Sequence, residues 1–157
     1  MYPALEIAKF FINRGYEEEK PVTQMQLQKL LYFAHGNSLV TNGEPLIEEG
    51  FEAWDYGPVC PVIYHEFKIY GANPITPNDY VLKFLGKIKN FDVKININDK
   101  DKKIIDETWE GLKGLSGLEL STITHLKDSA WSKSYRQGIR SIHIPNDLIL
   151  EEMKKYM

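Results

Sequence analysis

Thr23-Gln24-Met25-Gln26-Leu27-Gln28-Lys29-Leu30-Leu31-Tyr32-Phe33-Ala34-His35 opens the segment whose reading decides the fold. Thr23 followed three residues later by Gln26 is a capping box, in which each side chain satisfies a free backbone N–H of the first helical turn. Leu27, Leu30, Leu31, Ala34 and Ser38 then recur at helical spacing. The pattern predicts a helix running to about Asn42-Gly43. It is the longest strongly patterned segment of the chain and the expected centre of the core.

Outward from this helix, both flanks read as further short elements. Upstream, Pro3 suits a first helical turn, Ala4, Ile7, Ala8 and Phe11 form an apolar face with Phe10 beside it, and Asn13-Arg14-Gly15 offers a glycine cap. Downstream, Gly50 to Trp54 has strand character, with Gly57-Pro58 as its stop. Pro61 begins a third helix with the face Val59, Ile63 and Phe67, ending at Gly71. Between residues 72 and 98, Asn73, Pro74, Pro77 and Asn78 mark turns, and Val93, Ile95 and Ile97 alternate like a second strand. Asp99 is the expected cap of a helix carrying Ile104, Ile105, Thr108, Trp109 and Leu112, ended by Gly114. Ser116 and Glu119 form another capping box, with Leu115 and Leu120 as the hydrophobic staple, ahead of Ile123, Thr124 and Leu126. A last helix follows Pro145 and buries Leu148, Ile149 and Met153. The expectation is a mainly α protein, a single compact domain over residues 1–157, with about six helices and a small two- or three-stranded β element. Leu30, Leu31, Ala34, Ile63, Phe67, Ile105, Trp109, Leu120 and Ile123 are the expected core.

The composition is that of an ordinary globular chain: 157 residues, 43% apolar and 26% charged. No apolar run approaches the roughly 18–20 residues needed to cross a bilayer, and the first residues lack the basic and apolar segments of a signal peptide. A cytoplasmic protein with no membrane partner is expected. A net charge of −3, with acids and bases interspersed, argues against nucleic acid as the partner. Cys60 is the single cysteine, so an internal disulfide and a cysteine-based zinc site are both excluded.

Reactive chemistry has few candidates. Cys60 at a helix start, paired with His35, His65 or His125, is the strongest nucleophile arrangement, although its neighbours Val59, Pro61 and Val62 suit a packed thiol. The four histidines, His143 included, show no metal-ligand spacing, and neither phosphate-binding glycine loop is present. No cofactor and no metal are expected. What stands out instead is an aromatic group, Trp54, Tyr56, Tyr64, Phe67 and Tyr70, around the Gly57-Pro58 turn, since Trp and Tyr carry much of the binding energy at protein interfaces.

Three stretches resemble the Panacea domain family, whose members are described as SocA-like antitoxins and GepA-like phage-associated proteins. They are Leu27 to His35; Phe51-Glu52-Ala53-Trp54-Asp55-Tyr56-Gly57-Pro58-Val59 with Pro61-Val62 and Tyr64; and Leu120-Ser121, Thr124-His125, Trp131 and Ile144. The family commonly has Pro-Trp where this chain has Ala130-Trp131. The resemblance implies the antitoxin of a type II toxin–antitoxin pair, often carried by prophages, that neutralises a cognate toxin protein by direct binding and has no enzymatic activity. For some members it implies an adaptor that hands the toxin to a protease. It also implies no added DNA-binding module in a chain of this length. The second and third stretches are expected to meet, and the protein-binding surface is expected at Trp54, Asp55, Tyr56, Gly57, Pro58, Tyr64, His125 and Trp131. The rival is that both motifs serve folding alone. Other functional classes left open are a small cytoplasmic enzyme using His125 or Cys60, and a DNA-binding regulator.

Overall fold

Residues 24–42 form the axis around which the other elements are arranged. A computed structural model describes residues 1–76, 91 and 93–157. Among them the helices are α1 (Ala4–Glu17), α2 (Gln24–Asn42), α3 (Pro61–Phe67), α4 (Asp99–Leu112), α5 (Gly117–Thr124), α6 (Ala130–Ser134) and α7 (Asn146–Met153). The strands are β1 (Phe51–Trp54), β2 (Gly57–Val59) and β3 (His143–Ile144), and short 3-10 turns extend α3 and α7. The chain is mainly α with a small antiparallel sheet of order β2-β1-β3.

The capping box of α2 is complete. Thr23 Oγ1 accepts from Gln26 N at 3.3 Å, and Thr23 N donates to Gln26 Oε1 at 2.8 Å. Gly43 closes the helix in the left-handed conformation, φ 74°. Every residue from Leu27 to Gly36 is buried, because α1, α3, α4, α5, α7 and β2 all pack against this one helix. A helix covered on all sides must bury polar residues as well, and their groups must find partners inside the protein. Gln28 accepts from Cys60 N at 2.8 Å and donates to Cys60 O at 3.1 Å, so one amide pins the junction of β2 and α3. His35 accepts from Ile47 N through Nδ1 and meets Asn146 Oδ1 through Nε2 at 2.9 Å. Tyr32 donates to Glu152 Oε2 at 2.5 Å and so ties α2 to α7.

Several sequence expectations are corrected here. Gly15 does not end α1, which continues to Glu17. Its missing Cβ serves a close approach, since a Cβ there would stand 2.6 Å from Lys20 O, and the chain reverses at Glu19 instead, φ 57°. Gly57 and Pro58 do not stop a strand. They begin β2, the return strand of a hairpin whose register pairs Trp54 with Gly57 and Glu52 with Val59. Residues 93–97 form no strand, and β1 takes His143–Ile144 as its second partner. The cap of α4 is Asn98, whose side chain accepts from Asp101 N at 2.8 Å. Ser116 accepts from Glu119 N at 3.1 Å, yet Glu119 returns to the serine hydroxyl and not to its N–H. α5 ends at Thr124, leaving Leu126 exposed. Of the expected core, Ile123 is half-buried and the rest are buried. Pro77 and Asn78 lie outside the described residues.

Candidate protein-binding corner

The β1–β2 hairpin projects its turn, Asp55-Tyr56, over the N-terminal part of α2 and the C-terminal end of α5. Four carbonyls of this short hairpin each meet a side chain from elsewhere in the chain. Trp131 Nε1 donates to Trp54 O at 2.6 Å, and His125 Nε2 to Asp55 O at 3.0 Å. Ser121 Oγ donates to Tyr56 O at 2.7 Å, and Lys29 Nζ to Pro58 O at 3.1 Å. The second and third sequence motifs therefore meet: one supplies backbone acceptors and the other the donors that fix them. Tyr135 OH adds a bond of 2.5 Å to Asp55 Oδ1, which raises the Tyr135 phenol above its ordinary range.

Aromatic contacts reinforce the frame. His125 lies 3.8 Å from Trp131 between ring centroids, and Trp131 stacks on Tyr135 at 4.5 Å. Trp54 meets Tyr64 edge-on at 4.8 Å, and the Arg140 guanidinium stands 4.5 Å above the Trp54 ring. Edge-on and offset ring pairs hold their geometry because ring edges are electropositive and faces electronegative.

The candidate residues divide by exposure. Trp54, Trp131, Gly57 and Pro58 are buried and build the frame, and Tyr64 and His125 are half-buried. Asp55 and Tyr56 reach solvent, Tyr56 with 67% of its surface exposed. Lys29, Ser121, Tyr135 and Arg140 belong to the same site; Lys29 and Ser121 lie in stretches that carry the family resemblance, but none of the four was among the expected binding residues. Lys29 sits between apolar residues of α2, and only a helix packed on every side explains its burial. At Ala130 the backbone N–H donates to Glu152 Oε2 at 3.3 Å, a bond that a proline at this position could not make.

The groups considered for catalysis are placed unfavourably for it. His125 bridges two carbonyl oxygens, Asp55 O through Nε2 and Ser121 O through Nδ1 at 2.6 Å, so neither nitrogen faces open space as a general base would. Cys60 is fully buried, and burial pushes its thiol up to about 12. In the native protein Cys60 is expected to resist iodoacetamide at pH 8 and to react once the chain is unfolded. Rapid native labelling, read by mass spectrometry, would contradict that burial. Cys60→Ser is expected to fold and to leave partner binding unchanged. Among the described residues no three His, Cys, Asp or Glu side chains form a group that could hold a metal ion, and no helix is long and apolar enough to cross a membrane.

Comparison with known proteins places this site within a matched region. The family model described as antitoxin SocA-like, Panacea domain, matches residues 27–132. Antitoxin SocA of Caulobacter vibrioides (strain NA1000 / CB15N) is 44% identical over 72 residues, which are 46% of this chain and 38% of that protein. No solved structure matches the chain. The matched segment contains α2 from Leu27 onward, the hairpin, α3, α4, α5 and the Trp131 anchor, more than half of the chain, and on that ground the protein belongs to the SocA-like antitoxin, or Panacea domain, family.

Proposed function

We propose that this protein is the antitoxin of a type II toxin–antitoxin pair, and that it neutralises its toxin by direct binding at the corner formed by the hairpin turn, α5 and α6. Prophage carriage belongs to the same reading. The observation that carries it is a rigid turn, cross-braced by donors from α2, α5 and α6, that presents exposed Tyr56 beside Asp55 within the antitoxin-family region. An aromatic side chain held on a stiff backbone loses little entropy on docking, which is the property of interface anchors. The cross-bracing gives the two shared motifs a structural task, and the exposed edge gives them a contact surface.

The test uses Tyr56→Ala and Asp55→Ala separately, against the toxin encoded beside this chain. Tyr56→Ala removes an exposed side chain, so its melting temperature is expected to stay unchanged. Its toxin affinity is expected to fall by about 2 kcal/mol or more, roughly 30-fold, as at a hot spot. Asp55→Ala also removes the bond to Tyr135, and is expected to weaken binding with a small loss of stability. If both variants remain folded and still rescue growth fully, the toxin docks elsewhere, and residues 72–98 become the next region to probe.

A further inference from the structure

A cavity of about 280 Å³ lies beside the hairpin turn, lined among others by Gln24, Lys29, Trp54, Tyr56, Tyr64 and Arg140. It gathers polar groups that the fold leaves without acidic partners. Lys29 is 1% exposed, and its Nζ donates to the single acceptor Pro58 O, although an ammonium carries three N–H groups. Arg140 rests on the Trp54 ring. Among the described residues no carboxylate forms an ion pair with either cation. Gln24 is 8% exposed, and its Oε1 is buried without a hydrogen-bond partner among the described residues. The acidic residue at the rim, Asp55, is engaged by Tyr135. A buried ammonium ordinarily has a charged partner or several acceptors, and Lys29 has one carbonyl, while Arg140 stands exposed on the same rim.

We propose that this cavity receives an acidic side chain, Asp or Glu, from the bound toxin, clamped by Lys29 and Arg140 between the aromatic walls of Trp54, Tyr56 and Tyr64. The inference rests on the antitoxin reading and names the chemistry of its contact. A carboxylate supplies an anionic acceptor for the buried Lys29 and an ion-pair partner for the exposed Arg140 at the rim; Gln24 Oε1, itself an acceptor, is left for a donor elsewhere on the partner. Asp55 at the rim repels a doubly charged phosphate more strongly than a singly charged carboxylate. Tyr56, which lines the cavity and is 67% exposed, offers further contact to a protein partner. Burial holds the Lys29 ammonium down to about 7, and a carboxylate partner would restore its charge.

Two measurements separate this inference from the reading beneath it. The full chain is titrated with N-acetyl-glutamate amide and with the matching glutamine compound, following the Trp54 indole and Gln24 amide by NMR. The glutamate compound is expected to give saturable shifts at millimolar concentration, with the glutamine compound at least about tenfold weaker. Lys29→Met and Arg140→Gln are each expected to weaken the glutamate compound about tenfold, and to lose growth rescue against the toxin encoded beside this chain. Absent shifts, equal shifts from the two compounds, or unchanged binding by both variants would overturn the carboxylate site. If the glutamate compound binds but Lys29→Met rescues as well as the wild type, the toxin does not supply the carboxylate and the inference fails, with the antitoxin reading intact. If the wild type itself gives no rescue, the antitoxin reading fails, and the titration still reports the chemistry of the cavity.

Discussion

Gly57→Ala is expected to destabilise the protein by roughly 2–6 kcal/mol. Two costs combine at this position. Gly57 holds φ at +114°, a conformation that costs an L side chain about 1–3 kcal/mol of backbone strain. A Cβ would also stand 2.7 Å from Thr124 Oγ1 and 2.9 Å from Lys29 Cε, and overpacking of this kind typically costs about 1–3 kcal/mol. Neither neighbour has room to retreat. Thr124 is fully buried and donates to Ser121 O at 2.7 Å, and Lys29 is 1% exposed. Against a typical total stability of about 5–15 kcal/mol, this loss moves the urea midpoint far down or unfolds the chain at 37 °C. A variant with the wild-type midpoint would mean that β2 can pivot away from α2, and the braced corner described above would be wrong.

Lys29→Met is expected to act in the opposite direction, raising stability by about 2–4 kcal/mol at pH 7. Burial brings the Lys29 ammonium down from 10.5 to about 7, and each unit of such a shift corresponds to about 1.4 kcal/mol of unfavourable interaction with the charged form. Methionine fills a similar volume without that cost. It forfeits the bond to Pro58 O, worth about 1–2 kcal/mol. The pH dependence carries the sign. Between pH 7 and the ordinary lysine range, the unfolded chain holds a proton that the folded chain has released. Unfolding therefore takes up a proton, and the wild type gains stability as pH rises through that window, by up to about 5 kcal/mol. Denaturant melts at pH 7 and pH 9.5 are expected to show this gain in the wild type and its near absence in Lys29→Met. A variant less stable than the wild type at pH 7, or one that keeps the slope, would show that Lys29 is solvated in the native state. Together with lost growth rescue, higher stability would mark Lys29 as a residue kept for binding at the expense of the fold.

The local elements were legible because local rules decide them. Thr23 and Gln26 announced the start of α2 and Gly43 its end, since a capping box and a left-handed glycine each need only residues a few positions apart. Pro61 opened α3 and Pro145 preceded α7 for the same kind of reason. The misreadings arose where one residue type serves two purposes. Gly15 looked like a helix cap and is instead a point of close approach to Lys20. Gly57 looked like a stop and is the first residue of a return strand, because a hairpin is defined by its pairing partner and not by its own residues. Among the described residues Val93, Ile95 and Ile97 pair with no strand, and β1 paired with His143–Ile144, far along the chain.

The sequence by itself determined that the chain is mainly helical, where α2 begins and ends, and which family its motifs resemble. Periodicity, caps and motif order are short-range properties written in consecutive residues. Only the tertiary structure decided that α2 is enclosed on every side, so that Lys29, Gln24, Gln28 and His35 are buried with its leucines. It likewise decided that Trp131, His125, Ser121 and Lys29, from three helices, converge on four carbonyls of one hairpin. Convergence of this kind depends on the packing of elements up to 77 residues apart along the chain. A hydrogen bond between a side chain and a distant carbonyl leaves no periodic trace, because any residue but the donor can change without altering the acceptor that every peptide unit carries.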